Sequence, residues 1–124
     1  MPPQPPDFDL VFDRLKTMLT PYARRLDQSG SDSLYSLDTR HQLPNKQMLN
    51  FAALRKGKAY VSFYLFPVYM YPELLRDLSP ALKKRMQGKS CFNFKTVDEP
   101  LFKELSQLAK AGLARFQSEG FLKR

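Results

Sequence analysis

With 124 residues, the chain has the length of one domain, able to bury roughly two-thirds of the surface its unfolded form exposes. It carries 20 Lys and Arg against 12 Asp and Glu, a net charge of +8. No run of about eighteen apolar residues occurs, which excludes a membrane-spanning helix, and one cysteine beside one histidine excludes an internal disulfide and a Cys/His zinc cluster.

The charge is uneven. Residues 1–38 carry six acids against four bases, whereas residues 39–124 carry sixteen bases against six acids. Such asymmetry suits a surface that meets an anionic partner, and equally an ordinary soluble basic protein. The start, Met1-Pro2-Pro3-Gln4-Pro5-Pro6, has neither a charged nor an apolar signal region. Residues 1–7 are expected to form an extended proline-rich tail, with a Pro-rich ligand for another domain as the alternative, and the address is expected to be cytoplasmic.

From Phe8 onward, Val11, Phe12, Leu15, Met18, Leu19, Tyr22 and Leu26 recur at helical spacing, predicting an amphipathic helix. Pro21 either kinks it or restarts it with Thr20 as cap. Asp9 and Asp13 lie one turn apart. They read as a solvated face with Asp9 near the positive helix end, or, with Asp7, as a weak candidate row for a cation. Residues 28–33 have loop composition. A short strand is predicted at 34–39, with Tyr35, Leu37 and Thr39 on one face. Residues 41–46 read as a second loop, in which His41 is either simply exposed or a titrating donor.

Residues 48–55 and 58–66 form the clearest strand pair, with Lys56-Gly57 as the turn and Gly57 expected at positive φ. Val61, Phe63 and Leu65 are assigned to the core. Tyr60, Ser62 and Tyr64 then share the opposite face, joined by Cys91 and Asn93 if their strand enters the same sheet. After a turn at 67–71, Pro72 is expected to open a helix reaching residue 78. Ser79 and Pro80 begin a short basic helix holding Lys83, Lys84 and Arg85, with Gly88 as its expected left-handed stop. A strand follows, with Ser90, Phe92 and Phe94 on one face and Lys89, Cys91, Asn93 and Lys95 on the other. Thr96 and Glu99 stand at capping-box spacing. Leu101, Leu105, Leu108, Gly112 and Phe116 mark a closing helix that Gly120 ends, and Gly112 suggests close packing. The expected architecture is α+β: three to four mostly antiparallel strands with helices on one sheet face, in a single domain over 8–124.

Lys58-Ala59-Tyr60-Val61-Ser62-Phe63-Tyr64, the proline-bounded helices, and Gly88-Lys89-Ser90-Cys91-Phe92-Asn93-Phe94 before the 98–108 helix resemble the YdhG-like family of small bacterial domains. The similarity covers roughly residues 34–118. It implies a curved sheet of TATA-binding-protein-like half-domain type and little about activity. One branch of the family is described as a frataxin-like iron chaperone. That role relies on acidic surface, because hard cations favour carboxylate oxygens, and this chain is strongly basic after residue 38.

Catalysis is not expected. Cys91 can be read as a thiolate favoured by Lys89 and the 83–85 bases, or as a small buried hydrophobe. No glycine-rich phosphate loop is present. Three functions follow. A binding module takes a small anionic ligand or a protein on Tyr60, Ser62, Tyr64, Cys91 and Asn93. A nucleic-acid binder sets Lys83, Lys84, Arg85, Lys89 and Lys95 on phosphates while tyrosines stack on bases, where the plainer reading is a solvated basic helix. A metal chaperone uses Asp7, Asp9 and Asp13. No cofactor and no membrane contact are expected.

Overall fold

A computed structural model describes residues 7–122. The first helix, α1 (Phe8–Leu19), is capped by Asp7, whose side chain accepts from the Leu10 N–H at 3.1 Å. Asp7 therefore belongs to the domain, while the rest of the proline-rich tail expected at 1–7 lies outside the described residues. Val11, Phe12, Leu15 and Leu19 are buried. Pro21 ends the α-geometry, and the chain tightens into a 3-10 turn at Thr20–Arg24.

Six strands follow: β1 (Asp27–Ser31), β2 (Leu34–Gln42), β3 (Met48–Lys56), β4 (Val61–Leu65), β5 (Met86–Gln87) and β6 (Cys91–Phe94). They form one sheet in the order β1-β2-β3-β4-β6-β5, every neighbouring pair antiparallel. The α+β class holds, but six strands replace the three or four expected. Residues 28–33 are not a loop: β1 and β2 form a hairpin across Asp32 and Ser33. β2 also runs on to Gln42, so His41 lies in a strand rather than a loop.

Burial divides the sheet into two faces. Tyr35, Leu37 and Thr39 of β2, Val61, Phe63 and Leu65 of β4, and Phe92 and Phe94 of β6 all turn inward. In β3 a bulge extends the inward set. Leu37 pairs with Ala52 and Asp38 with Asn50, so Phe51 is the extra residue. Leu49, Phe51, Ala52 and Leu54 are consequently all buried. Asn50 occupies the irregularity, its Nδ2 donating to Asp38 Oδ1 at 2.7 Å and to the Leu37 carbonyl at 3.0 Å.

The other helices are α2 (Phe66–Met70), α3 (Pro80–Lys83) and α4 (Glu99–Ser118), with a 3-10 turn at Pro72–Leu75 in place of the longer helix expected there. α4 buries Leu101, Phe102, Leu105, Leu108, Leu113 and Phe116 in the same core as α1 and the inward sheet face. Its cap is Asp98, which accepts from the Leu101 N–H at 3.2 Å, and not Thr96. Gly112 lies against α2, where a Cβ would stand 2.9 Å from Pro67 Cβ. At the far end Gly120 has φ +85° and Phe121 N–H reaches back to the Phe116 carbonyl at 2.9 Å, closing the helix as expected.

Two expectations about glycine change. Gly57 does not take positive φ, because β3 and β4 are joined through a four-residue turn closed by Gly57 N–H to the Tyr60 carbonyl at 2.9 Å. Gly88 is left-handed at φ +79°, but it serves the β5–β6 hairpin and not a helix end.

Candidate binding site on the outer sheet face

Strand pairing places the polar residues of the sheet in rows. One row crosses the outer face as Ser36, Ala53, Tyr64, Cys91 and Gln87, each paired with its neighbour. The row beside it runs Leu34, Arg55, Ser62 and Asn93. Ser62, Tyr64, Cys91 and Asn93, singled out in the sequence, are thus adjacent on one face. Tyr60 precedes β4 rather than lying in it, yet it stands at the same edge, its hydroxyl donating to Gln87 Oε1 at 3.4 Å.

A hydrogen-bonded chain connects these side chains. Ser62, only 5% exposed, donates through Oγ to Asn93 Oδ1 at 2.7 Å, and Asn93 Nδ2 donates to Gln87 Oε1 at 2.7 Å. The Cys91 thiol also approaches Asn93 Oδ1, at 3.3 Å. With both ends of its amide engaged, Asn93 is held in one orientation.

Two open grooves meet at Tyr60. One, of about 290 Å³, is lined by Arg55, Lys58, Tyr60, Ser62 and Tyr64. The other, of about 320 Å³, is lined by Tyr60, Lys84, Arg85, Gln87, Asn93 and Lys95. Together they present five cations, and no carboxylate lines either groove. Among the described residues none of the five forms an ion pair, since the salt bridges involve Arg14, Arg40, Lys56 and Arg115 instead.

Local structure explains how the basic residues reach this face. Ser79 caps α3 by accepting from Leu82 N–H at 3.2 Å. Glu104 on α4 accepts from the Ser79 N–H at 2.8 Å and from its hydroxyl at 2.6 Å, pinning the start of α3. Leu82 is fully buried, so Lys83, Lys84 and Arg85 are left outward. Asn93 N–H then bonds to the Arg85 carbonyl at 2.8 Å, setting Arg85 beside the polar chain.

The predicted cations do not all gather. Lys84, Arg85 and Lys95 line the groove, whereas Lys83 is exposed without lining it. Lys89 sits at the β5–β6 turn with Nζ 5.9 Å from the Tyr69 ring centre. Arg55 and Lys58 belong to the site and were missed. Arg55 shares the outer phase of β3 with Ala53, but only the pairing of Arg55 with Ser62 reveals that it faces the same groove.

Burial raises the pKa of the Cys91 thiol, against a smaller lowering by the hydroxyls of Ser62 and Tyr64. The nearby lysines do not make it a thiolate. His41 lies on β2, three strand spacings or about 14 Å across the sheet from β6, and packs on Phe121 with ring centres 4.8 Å apart. It also lines a more enclosed cavity of about 250 Å³ with Arg25, Arg40 and Gln42. There Arg40 is paired with Asp27 at 3.2 Å, which offsets part of the positive charge of that cavity.

Of the acidic row, Asp7 is a helix cap and Asp9 pairs with Lys56. Among the described residues no group of three or more His, Cys, Asp or Glu converges. No helix of the described residues is long and apolar enough to cross a membrane. No family model, curated protein or solved structure matches the chain.

Proposed function

We propose that this chain is a non-catalytic binding module that takes an anionic partner on the outer sheet face around Tyr60. The observation that carries this reading is the meeting of Arg55, Lys58, Lys84, Arg85 and Lys95 about two grooves that no carboxylate lines. Cations left without counter-charges are poised to meet an anion, and the oriented Asn93 amide adds directional hydrogen bonding. A protonated Cys91 thiol, distant from His41, supports the non-catalytic reading. The iron-chaperone alternative draws on Asp9 and Asp13, and Asp9 is engaged by Lys56. What supports placing the chain beside the YdhG-like domains is the pair of phrases at 58–64 and 88–94, together with helices on one sheet face. The lone free thiol suits a cytoplasmic address.

The test is an amide chemical-shift titration of the labelled protein with a short linear polyphosphate. The expected result is a cluster of shifts at Tyr60, Ser62, Lys84, Arg85, Asn93 and Lys95 that fades as salt is raised. Shifts confined to the Arg25, Arg40 and His41 cavity would move the site to the other end of the sheet. An unchanged spectrum would reject an anion site altogether.

A further inference from the structure

We infer that the anionic partner is single-stranded nucleic acid, laid along β4 with its bases on the exposed tyrosines; this rests on the anion-binding reading above. A small anion would need one pocket with converging donors, whereas the cations here flank a line. Arg55 and Lys58 stand on one side of Tyr60, and Lys84, Arg85 and Lys95 stand on the other. Along that line the aromatic surface is presented, not buried. Tyr60 is half-buried at the groove junction, and Tyr64 is 36% exposed one strand length further on, roughly 13 Å by strand rise.

The line continues past the end of β4. The chain runs directly from Leu65 into α2, where Tyr69 is 51% exposed, stacked on Phe66 with ring centres 5.4 Å apart and an interplanar angle of 22°. Lys89 Nζ lies 5.9 Å from the Tyr69 ring centre, so this ring, already packed on Phe66, extends the line with a cation and an aromatic edge, and the stacking faces are those of Tyr60 and Tyr64. Exposed aromatic faces interleaved with unpaired cations are what a flexible polyanion with planar bases requires. Phosphates take the lysines and arginines, and each base gains a ring to stack on without sequence readout. Duplex is a poor fit, because its bases are already stacked and cannot reach tyrosine faces that lie on a sheet.

The experiment measures binding of the full chain to oligo-uridine and oligo-thymidine of about eight nucleotides, to the same sequences as duplex, and to inorganic polyphosphate of matched charge. The chain has no tryptophan and six tyrosines, so the part of the tyrosine quenching that is lost in Tyr60→Ala and Tyr64→Ala reports stacking on those rings. Single strands are expected to bind at least tenfold more tightly than polyphosphate or duplex and to quench the emission. Tyr60→Ala and Tyr64→Ala should each weaken oligonucleotide binding by roughly tenfold and polyphosphate binding by severalfold less, and Tyr60→Phe should keep the oligonucleotide affinity. The paired change Lys84→Ala and Arg85→Ala should weaken both ligands. Equal affinity for oligonucleotide and polyphosphate overturns the nucleic-acid assignment and leaves the anion site standing. Preference for duplex overturns it as well. Failure of every polyanion to bind removes both readings and leaves a protein as the partner. The two single-strand arms tell RNA from DNA, and urea midpoints of each variant separate lost binding from lost folding.

Discussion

Ser62 on β4 and Asn93 on β6 face each other across the sheet, and the buried serine hydroxyl donates to the asparagine carbonyl oxygen at 2.7 Å. The pair sits beneath the proposed site and ties the two strands that form its floor. Removing its two ends is not symmetric. Ser62→Ala leaves Asn93 still engaged by Cys91 and Gln87, and is expected to cost about 0.5–1.5 kcal/mol. Asn93→Ala strands a buried hydroxyl and is expected to cost about 1–3 kcal/mol. Urea denaturation with an unchanged slope checks the order, and equal costs would mean that the hydroxyl finds water instead.

Gly112 and Pro67 supply a second test. A methyl on Gly112 would stand 2.9 Å from Pro67 Cβ and 3.0 Å from its Cγ, and the proline ring cannot swing aside. Helix propensity favours alanine there by about 1 kcal/mol, but overpacking costs roughly 1–3 kcal/mol. Gly112→Ala is therefore expected to be destabilising on balance. Pro67→Ala removes the Cγ contact and keeps the Cβ at 2.9 Å, so in that background the same change should cost less but still destabilise, and a double-mutant cycle reads the difference. Stabilisation by Gly112→Ala alone would refute the close contact.

The start of α4 separates two residues that look interchangeable. Asp98 caps the helix, whereas Thr96 is exposed and makes no cap. Asp98→Ala is expected to cost about 1 kcal/mol, and Thr96→Ala less than about 0.5 kcal/mol. Thermal unfolding of the two variants side by side decides it. A larger loss at Thr96 would restore the capping box expected from the spacing.

Cys91 gives a pH dependence with a definite sign. Its folded pKa lies above the ordinary thiol value because burial disfavours the thiolate. The folded chain therefore holds this proton more tightly than the unfolded chain does. Its contribution to stability is present below the ordinary thiol pKa of about 8.5 and is lost as pH rises through the folded value. Alkylation of the native protein should be slower at pH 7.5 than in urea, with a midpoint shifted to higher pH. Fast alkylation near pH 6 would instead mark an activated thiolate.

Much of the fold was readable where apolar residues alternate. Val61, Phe63 and Leu65 turned inward as their spacing required, and Phe92 and Phe94 joined them. β1 was not readable. Asp27-Gln28-Ser29-Gly30-Ser31 contains no apolar residue, and its five residues are strand only because β2 supplies a complementary ladder. The bulge at Phe51 likewise breaks alternation, so three consecutive positions cannot be phased without their partners. Half of the candidate site followed from β4 and β6 alone. Arg55 and Lys58 required knowledge that β3 lies beside β4 in that register, and Glu104 required the docking of α3 on α4.

The order of strands has a consequence for how the chain is made. β4 is internal to the sheet only because β6, which is synthesised about 30 residues later, slots in beside it. A nascent chain that has emerged only to Ser90 can complete β1 to β4 but leaves the backbone edge of Val61 to Leu65 open and its apolar side without α4. Loop closure over that separation is slower than hairpin formation, so the newborn domain passes through an interval with a bare, hydrophobic sheet edge. The interval lasts until β6 and α4 have both emerged, because the segments that seal the edge and cover the apolar side follow β4 in the chain.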